Sequence, residues 1–242
     1  MSRAELLYAL AAGGANIVGA LAVTTRARWT RRALDTMLSL AAGFLISVAM
    51  IDLFPDALAR DGARAAVIVL LSYLAVHITQ HTIGRHFHFG EETHEVSEVV
   101  SVSALVGLLL HTFVDGVAVA SGLRVSEVLG ALVFVAVVLH KFPEGLAISS
   151  LFLAAGAGRA RALSAAAALG LATVLGVLLT DSIAFLREYG LAISAGVTLY
   201  VGASNLVPEF QSRREWRLPL SFLAGCGLYF AARSLAGAGV TR

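Results

Sequence analysis

The chain has 242 residues, of which 58% are hydrophobic and 14% are charged, and its formal net charge is +2. Soluble domains carry about 25% charged residues, so this composition excludes an ordinary soluble domain and indicates an integral membrane protein. The arginines fall between apolar runs rather than on one basic face, which excludes a nucleic-acid partner. The single cysteine, Cys226, excludes an intrachain disulfide and a thiolate zinc cluster.

About eight apolar runs are long enough to cross a lipid bilayer, which requires roughly 20 helical residues. They cover residues 4–25, 33–55, 64–84, 96–121, 126–153, 161–182, 189–208 and 217–236. The connections are short except after the third span. The sequence therefore predicts an all-α polytopic membrane protein with a single transmembrane domain over residues 1–242.

The arginines also predict an orientation. Ten lie in the loops that follow the first, third, fifth and seventh spans, which share one side of the membrane. The other seven lie on the opposite side. The positive-inside rule then puts the arginine-rich side in the cytoplasm and both termini outside. Chain size and richness in alanine and arginine favour a bacterial inner membrane.

A histidine-rich tract begins at the end of the third span. It contains five of the seven histidines, with glutamates among them: His77, His81, His86, His88 and His94. Tracts of this composition often bind metal, so residues 85–95 are predicted to be an auxiliary cytoplasmic metal-binding loop. His77 and His81, four residues apart at the end of the third span, are further candidate ligands, and a solvated polar loop without a metal-binding role is the alternative.

The fourth and fifth spans carry nearly the same motif, His111-Thr-Phe-Val-Asp115-Gly and His140-Lys-Phe-Pro-Glu144-Gly. Each places a histidine and a carboxylate on one face of a helix. Ionisable groups are costly inside a bilayer and usually functional there. Imidazole and carboxylate suit Zn²⁺, and less selectively Fe²⁺, Mn²⁺ or Cd²⁺. The four residues are candidate ligands of one metal site, and two polar clamps between helices are the alternative.

The two motif helices are predicted to run in opposite directions. A second, weaker sequence similarity relates Asp52-Leu-Phe-Pro-Asp56, at the end of the second span, to Asn205-Leu-Val-Pro-Glu209, at the end of the seventh. Inverted repeats around a site at the membrane midplane are typical of transporters. Pro143 supports a polar pathway, because its ring frees a backbone carbonyl within the membrane.

At these residues the chain resembles the ZIP family of divalent metal transporters. The two motifs resemble the signatures of the family's fourth and fifth helices, and the ends of the second and seventh spans resemble the corresponding family sequences. The resemblance implies eight helices in a three-two-three inverted-repeat arrangement, with the metal bound by His111, Asp115, His140 and Glu144. It also implies transport of zinc or related cations toward the cytoplasm by an elevator-like or rocking motion, often in a homodimer.

Many family members hold a second metal beside the first. The positions that match its ligands are Thr112, Lys141 and Thr173, which are poor ligands, and Lys141 is the only lysine in the chain. This departure from the family pattern predicts a single transported metal, with the Lys141 ammonium in the place of a second cation. A lysine that extends to the membrane interface is the alternative.

Two other functions stay open on the sequence alone. An intramembrane metalloenzyme could use the same ligands, although it would also need a general base and an open coordination position. A haem or quinone electron-transfer subunit could use His111 and His140, but it would not require the two acids.

Overall fold

The computed structural model describes residues 3–25, 30–82, 98–211 and 215–240, and in these ranges the chain is almost entirely helical and has no strand. The helices are α1 (Arg3–Thr24), α2 (Arg31–Val48), α3 (Phe54–Asp61), α4 (Ala63–Thr82), α5 (Glu98–Val125), α6 (Glu127–Ala154), α7 (Arg159–Thr180), α8 (Ala184–Tyr200), α9 (Val207–Gln211) and α10 (Arg217–Val240). The predicted all-α class is confirmed.

Seven segments of the described chain are long and apolar enough to cross a membrane: Glu5–Thr24, Arg32–Asp61, Ala63–Gln80, Ser101–Val125, Glu127–Ala154, Arg159–Thr180 and Arg217–Ala236. The predicted span at 189–208 corresponds to α8, which has only 17 residues but continues as helix into α9. The protein is therefore a polytopic, multi-pass membrane protein.

The second span is longer than the sequence predicts, because the helix continues through Pro55 to Asp61. A π-helical segment, Ala49–Leu53, precedes the proline, and the Phe54 amide donates to the Ala49 carbonyl five residues earlier. The wider turn accommodates a proline ring that would clash in a regular α-helix. A second π segment, Val201–Leu206, precedes Pro208 in the same way. The predicted similarity between the second and seventh spans therefore extends to their backbone geometry.

Helix packing follows the predicted inverted repeat. Helix α1 packs on α6 as α7 packs on α5, and α2 packs on α10 as α8 packs on α4. Contacts also join α1 to α7 and α5 to α6. Exchange of the first three spans with the last three, together with exchange of α5 and α6, leaves this pattern unchanged. The two motif helices therefore lie side by side between equivalent neighbours.

Glycines let the neighbouring helices approach α5 and α6 at the level of the two motifs. A Cβ atom on Gly116 would overlap the backbone carbonyl of Thr173 in α7, and one on Gly145 would overlap that of Asn16 in α1. Small residues permit such backbone contact in membrane proteins, where helix association depends on close packing. These contacts fix α7 against α5 and α1 against α6, directly behind the motif carboxylates.

Candidate metal centre

The two motifs meet in the interior of the bundle. Helix α5 contributes His111 and Asp115, helix α6 contributes His140, Lys141 and Glu144, and all five side chains are buried. Histidine and carboxylate are four residues apart in each motif, which puts both groups on the helix face that points at the other helix. The structure thus brings together the four candidate ligands that lie on two separate spans.

Each histidine pairs with the carboxylate of the opposite helix. His111 Nε2 lies 3.2 Å from Glu144 Oε1, and His140 Nε2 lies 3.2 Å from Asp115 Oδ2. His111, His140 and Glu144 each offer a ligand atom, and these three atoms lie within 4.8 Å of one another. Asp115 stands outside this three-residue group and contacts it through His140.

A backbone bond orients the His140 ring. Its Nδ1 lies 2.9 Å from the carbonyl oxygen of Ala136, one helical turn earlier. A carbonyl can only accept, so Nδ1 carries the proton and donates it. When the ring is neutral its lone pair then lies on Nε2, so the 3.2 Å approach of Nε2 to Asp115 Oδ2 is a contact of two acceptors that a metal ion can bridge. This arrangement is the usual way in which a neighbouring acceptor prepares a histidine to bind metal.

Lys141 is completely buried and connects the two helices. Its Nζ lies 2.7 Å from Asp115 Oδ2, 2.7 Å from Glu144 Oε2 and 2.9 Å from Thr112 Oγ1. An ammonium group has three donors, and all three are used here. The lysine therefore points into the cluster, and the alternative of a side chain that extends to the membrane interface does not describe this structure.

The other two residues at second-metal positions differ in their contacts. The Thr112 hydroxyl donates to Glu144 Oε1 at 2.9 Å while it accepts from Lys141. Thr173 is buried, but its hydroxyl donates to the carbonyl of Leu169 in its own helix. Thr173 thus approaches α5 through its backbone, and its described side-chain bond does not involve the cluster.

One residue at the cluster was not predicted from the sequence. Asn16 of α1 lies with Nδ2 3.3 Å from Glu144 Oε2 and 3.2 Å from the carbonyl oxygen of Lys141. A signal for it exists, because residues 13–19 and 170–176 share a Gly-x-Ala-x-x-x-Gly pattern in which a polar residue directly follows the alanine. Asn16 and Thr173 occupy the same position in that pattern.

The histidine-rich tract is only partly described. His77 lies on α4, and its ring contacts that of Tyr200 in α8, with centroids 5.9 Å apart. The side chain of His81 and the whole of His86, His88 and His94 lie outside the described residues. The predicted metal-binding loop therefore stays a prediction.

Asp52, the first acid of the Asp-Leu-Phe-Pro-Asp sequence in the second span, has two partners on another helix. Asp52 is buried and accepts a hydrogen bond from the Tyr229 hydroxyl at 2.6 Å, and Arg233 lies 3.1 Å from its other oxygen. Both partners belong to α10. The carboxylate thus joins the π segment after α2 to α10.

The cluster carries one net negative charge when both histidines are neutral, because Lys141 offsets one of the two carboxylates. Buried charges are stable only when they are paired and hydrogen-bonded. A bound divalent cation would compensate the remaining negative charge. The arrangement can therefore bind a metal ion through nitrogen and oxygen ligands inside a membrane.

A family comparison identifies the class of protein. The model of the ZIP zinc transporter matches residues 90–232, which is more than half of the chain and includes both motif helices. No curated protein matches the chain. The matched family consists of divalent metal transporters and not of enzymes, which sets aside the metalloenzyme and electron-transfer alternatives. The resemblance drawn from the motifs is thus confirmed, and the chain belongs to the ZIP zinc transporter family.

Proposed function

We propose that the protein carries Zn²⁺ across the membrane toward the cytoplasm, through a site near the membrane midplane between α5 and α6. His111, His140 and Glu144 bind the ion, and Asp115 completes the coordination. The single observation that carries this proposal is the buried group of two imidazoles and a carboxylate on facing membrane helices.

The spacing of the cluster suits a small tetrahedral ion. Zinc binds nitrogen and oxygen at about 2.0–2.2 Å, so neighbouring ligand atoms of a tetrahedral site lie about 3.4 Å apart. The two histidine–carboxylate distances are both 3.2 Å. A zinc ion can therefore take the place of these contacts with small side-chain movements. The same ligands also accept Fe²⁺, Mn²⁺ and Cd²⁺, which makes these ions competing substrates.

Charge favours one metal ion at a time. With Lys141 in place, one divalent ion changes the net charge of the cluster from −1 to +1, whereas two would leave a net charge of +3 in a buried site. Such an excess charge is strongly unfavourable in a medium of low dielectric constant. Lys141 therefore acts as a permanent second cation, and the transported ion occupies only the histidine side of the cluster.

Equilibrium zinc binding to the purified protein tests the site. The variants His140→Ala and Glu144→Gln are expected to weaken binding by about a hundredfold or more, since each removes a direct ligand. Thr180→Val is the matched control, because the Thr180 hydroxyl is buried in α7 and donates to Gly176 of its own helix. Unchanged affinity in both ligand variants would overturn the proposed site.

We further propose a homodimer in a bacterial inner membrane, with both termini outside. The arginine distribution supports the orientation, and the dimer follows from the family resemblance. Chemical crosslinking in native membranes should give a band of twice the monomer mass. A crosslinking pattern with monomer alone at all reagent concentrations would contradict the dimer.

A further inference from the structure

The Asn16 side chain meets the cluster from a third helix. It is completely buried, and its amide group spans the gap between the Glu144 carboxylate and the Lys141 backbone carbonyl. Sequence motifs on α5 and α6 do not reveal this contact. The site is thus built from three helices, and the contribution of α1 requires its own explanation.

The orientation of the Asn16 amide follows from its neighbours. Both Glu144 Oε2 and the Lys141 carbonyl can only accept hydrogen bonds, so the NH₂ group must face them. The Oδ1 atom then points away, and it is buried without a hydrogen-bond partner among the described residues. An unpaired buried amide oxygen is costly. The two hydrogen bonds that Asn16 donates at the cluster offset the cost of this unpaired oxygen.

Backbone packing brings Asn16 into reach. Helix α1 lies against α6 at Gly145, where any Cβ would overlap the Asn16 carbonyl, and at Gly19, where a Cβ would overlap the Phe142 carbonyl. The equivalent residue in the inverted repeat, Thr173, forms its side-chain bond within α7. The two halves of the repeat therefore share the backbone contact, whereas a described side-chain bond to the cluster is found for Asn16.

The division of contacts on Glu144 explains what Asn16 contributes. Oε1 faces the metal ligand His111 and accepts from Thr112, while Oε2 accepts from Lys141 and Asn16. Two donors on Oε2 hold the carboxylate so that Oε1 stays turned toward His111. Without the Asn16 amide, Lys141 would be the remaining described donor to Oε2, and the carboxylate would be held less firmly in this orientation.

We propose that Asn16 is a positioning residue of the transport site, which holds Glu144 Oε2 and thereby presents Oε1 to the metal ion. This inference rests on the proposed function, because it assumes that Glu144 binds the transported ion. Partners that orient a metal ligand typically change metal affinity by about 10- to 100-fold. Asn16 then affects affinity through Glu144 and not through contact with the metal.

Zinc affinity of the purified protein in detergent tests the inference. Asn16→Ala is expected to raise the Kd for Zn²⁺ about tenfold. Asn16→Leu, which keeps the branched shape of the side chain but has no donor, should give the same increase and serves if the alanine variant does not fold. Thr24→Val is the control on the same helix, since the Thr24 hydroxyl donates to carbonyls of its own helix, Ala20 and Leu21. A native Kd in a folded Asn16 variant would overturn the inference.

A double-mutant cycle separates positioning from general destabilisation. In a Glu144→Gln background, the Asn16 substitution should cause no further loss of zinc affinity, because the carboxylate that it orients is gone. An equal tenfold loss in both backgrounds would show that Asn16 acts independently of Glu144, which contradicts the inference. Absence of zinc binding by the native protein would instead overturn the proposed function itself, and the positioning role with it.

Discussion

Lys141 is the residue that most distinguishes this site. It is completely buried, and its ammonium group binds two carboxylates and a hydroxyl from both motif helices. The sequence predicted a cation beside the metal site, because this residue replaces a ligand position of the family pattern. The identity of its partners could not be read from the sequence, since they depend on the rotation of α5 against α6.

Substitution of Lys141 should change the number of metal ions bound. The native protein is expected to hold one Zn²⁺ per chain, and Lys141→Asn should hold up to two, since the cluster then carries two uncompensated negative charges. Lys141→Arg keeps the charge and should still hold one. Metal analysis after dialysis measures the ratio, and two tightly bound ions in the native protein would contradict the charge argument.

At the scale of elements, glycines and π segments determine where the helices meet. Apolar run length predicted the spans well, but the second span extends to Asp61 because a π segment accommodates Pro55. Hydropathy carries no information on such a change of helix bonding. Asn16 was not predicted for a similar reason. It is a single polar residue in an apolar run, and only the contact of α1 with Gly145 shows that it lies beside the cluster.

A pair of alanine substitutions on α5 tests the packing. Gly116→Ala would place a methyl group against the Thr173 carbonyl, whereas Gly107→Ala meets no atom within 4 Å. Gly116→Ala should lower the free energy of unfolding by about 1–3 kcal/mol, and Gly107→Ala should cause no loss, because alanine has the higher helix propensity. Thermal unfolding in detergent compares the two, and equal midpoints would contradict the close contact of α5 with α7.

At the scale of the whole molecule, the inverted repeat places one polar cluster between two equivalent sets of helices. The motifs were sufficient to predict this symmetry, because they contain the costly residues. They were not sufficient to predict which candidate ligands lie closest together. His111, His140 and Glu144 form the compact group, and Asp115 lies beside it. That distinction depends on the positions of individual side-chain atoms, which a sequence pattern does not specify.

Cysteine labelling tests the predicted orientation of the whole molecule. In a Cys226→Ala background, Glu127→Cys lies at the α5–α6 connection, which is predicted to be outside, and Gly158→Cys lies at the α6–α7 connection, which is predicted to be cytoplasmic. Both residues are exposed. A membrane-impermeant maleimide added to spheroplasts should label only Glu127→Cys, and selective labelling of Gly158→Cys would reverse the topology.

Zinc uptake into proteoliposomes tests the central claim most directly. Purified protein is reconstituted, Zn²⁺ is added outside, and an enclosed fluorescent indicator reports entry of the ion. Native protein and Thr180→Val should transport zinc at similar rates, whereas His140→Ala and Glu144→Gln should reduce the flux to that of empty liposomes, because each lacks a ligand of the proposed site. Native flux in both ligand variants, or no zinc flux with native protein, would contradict the account.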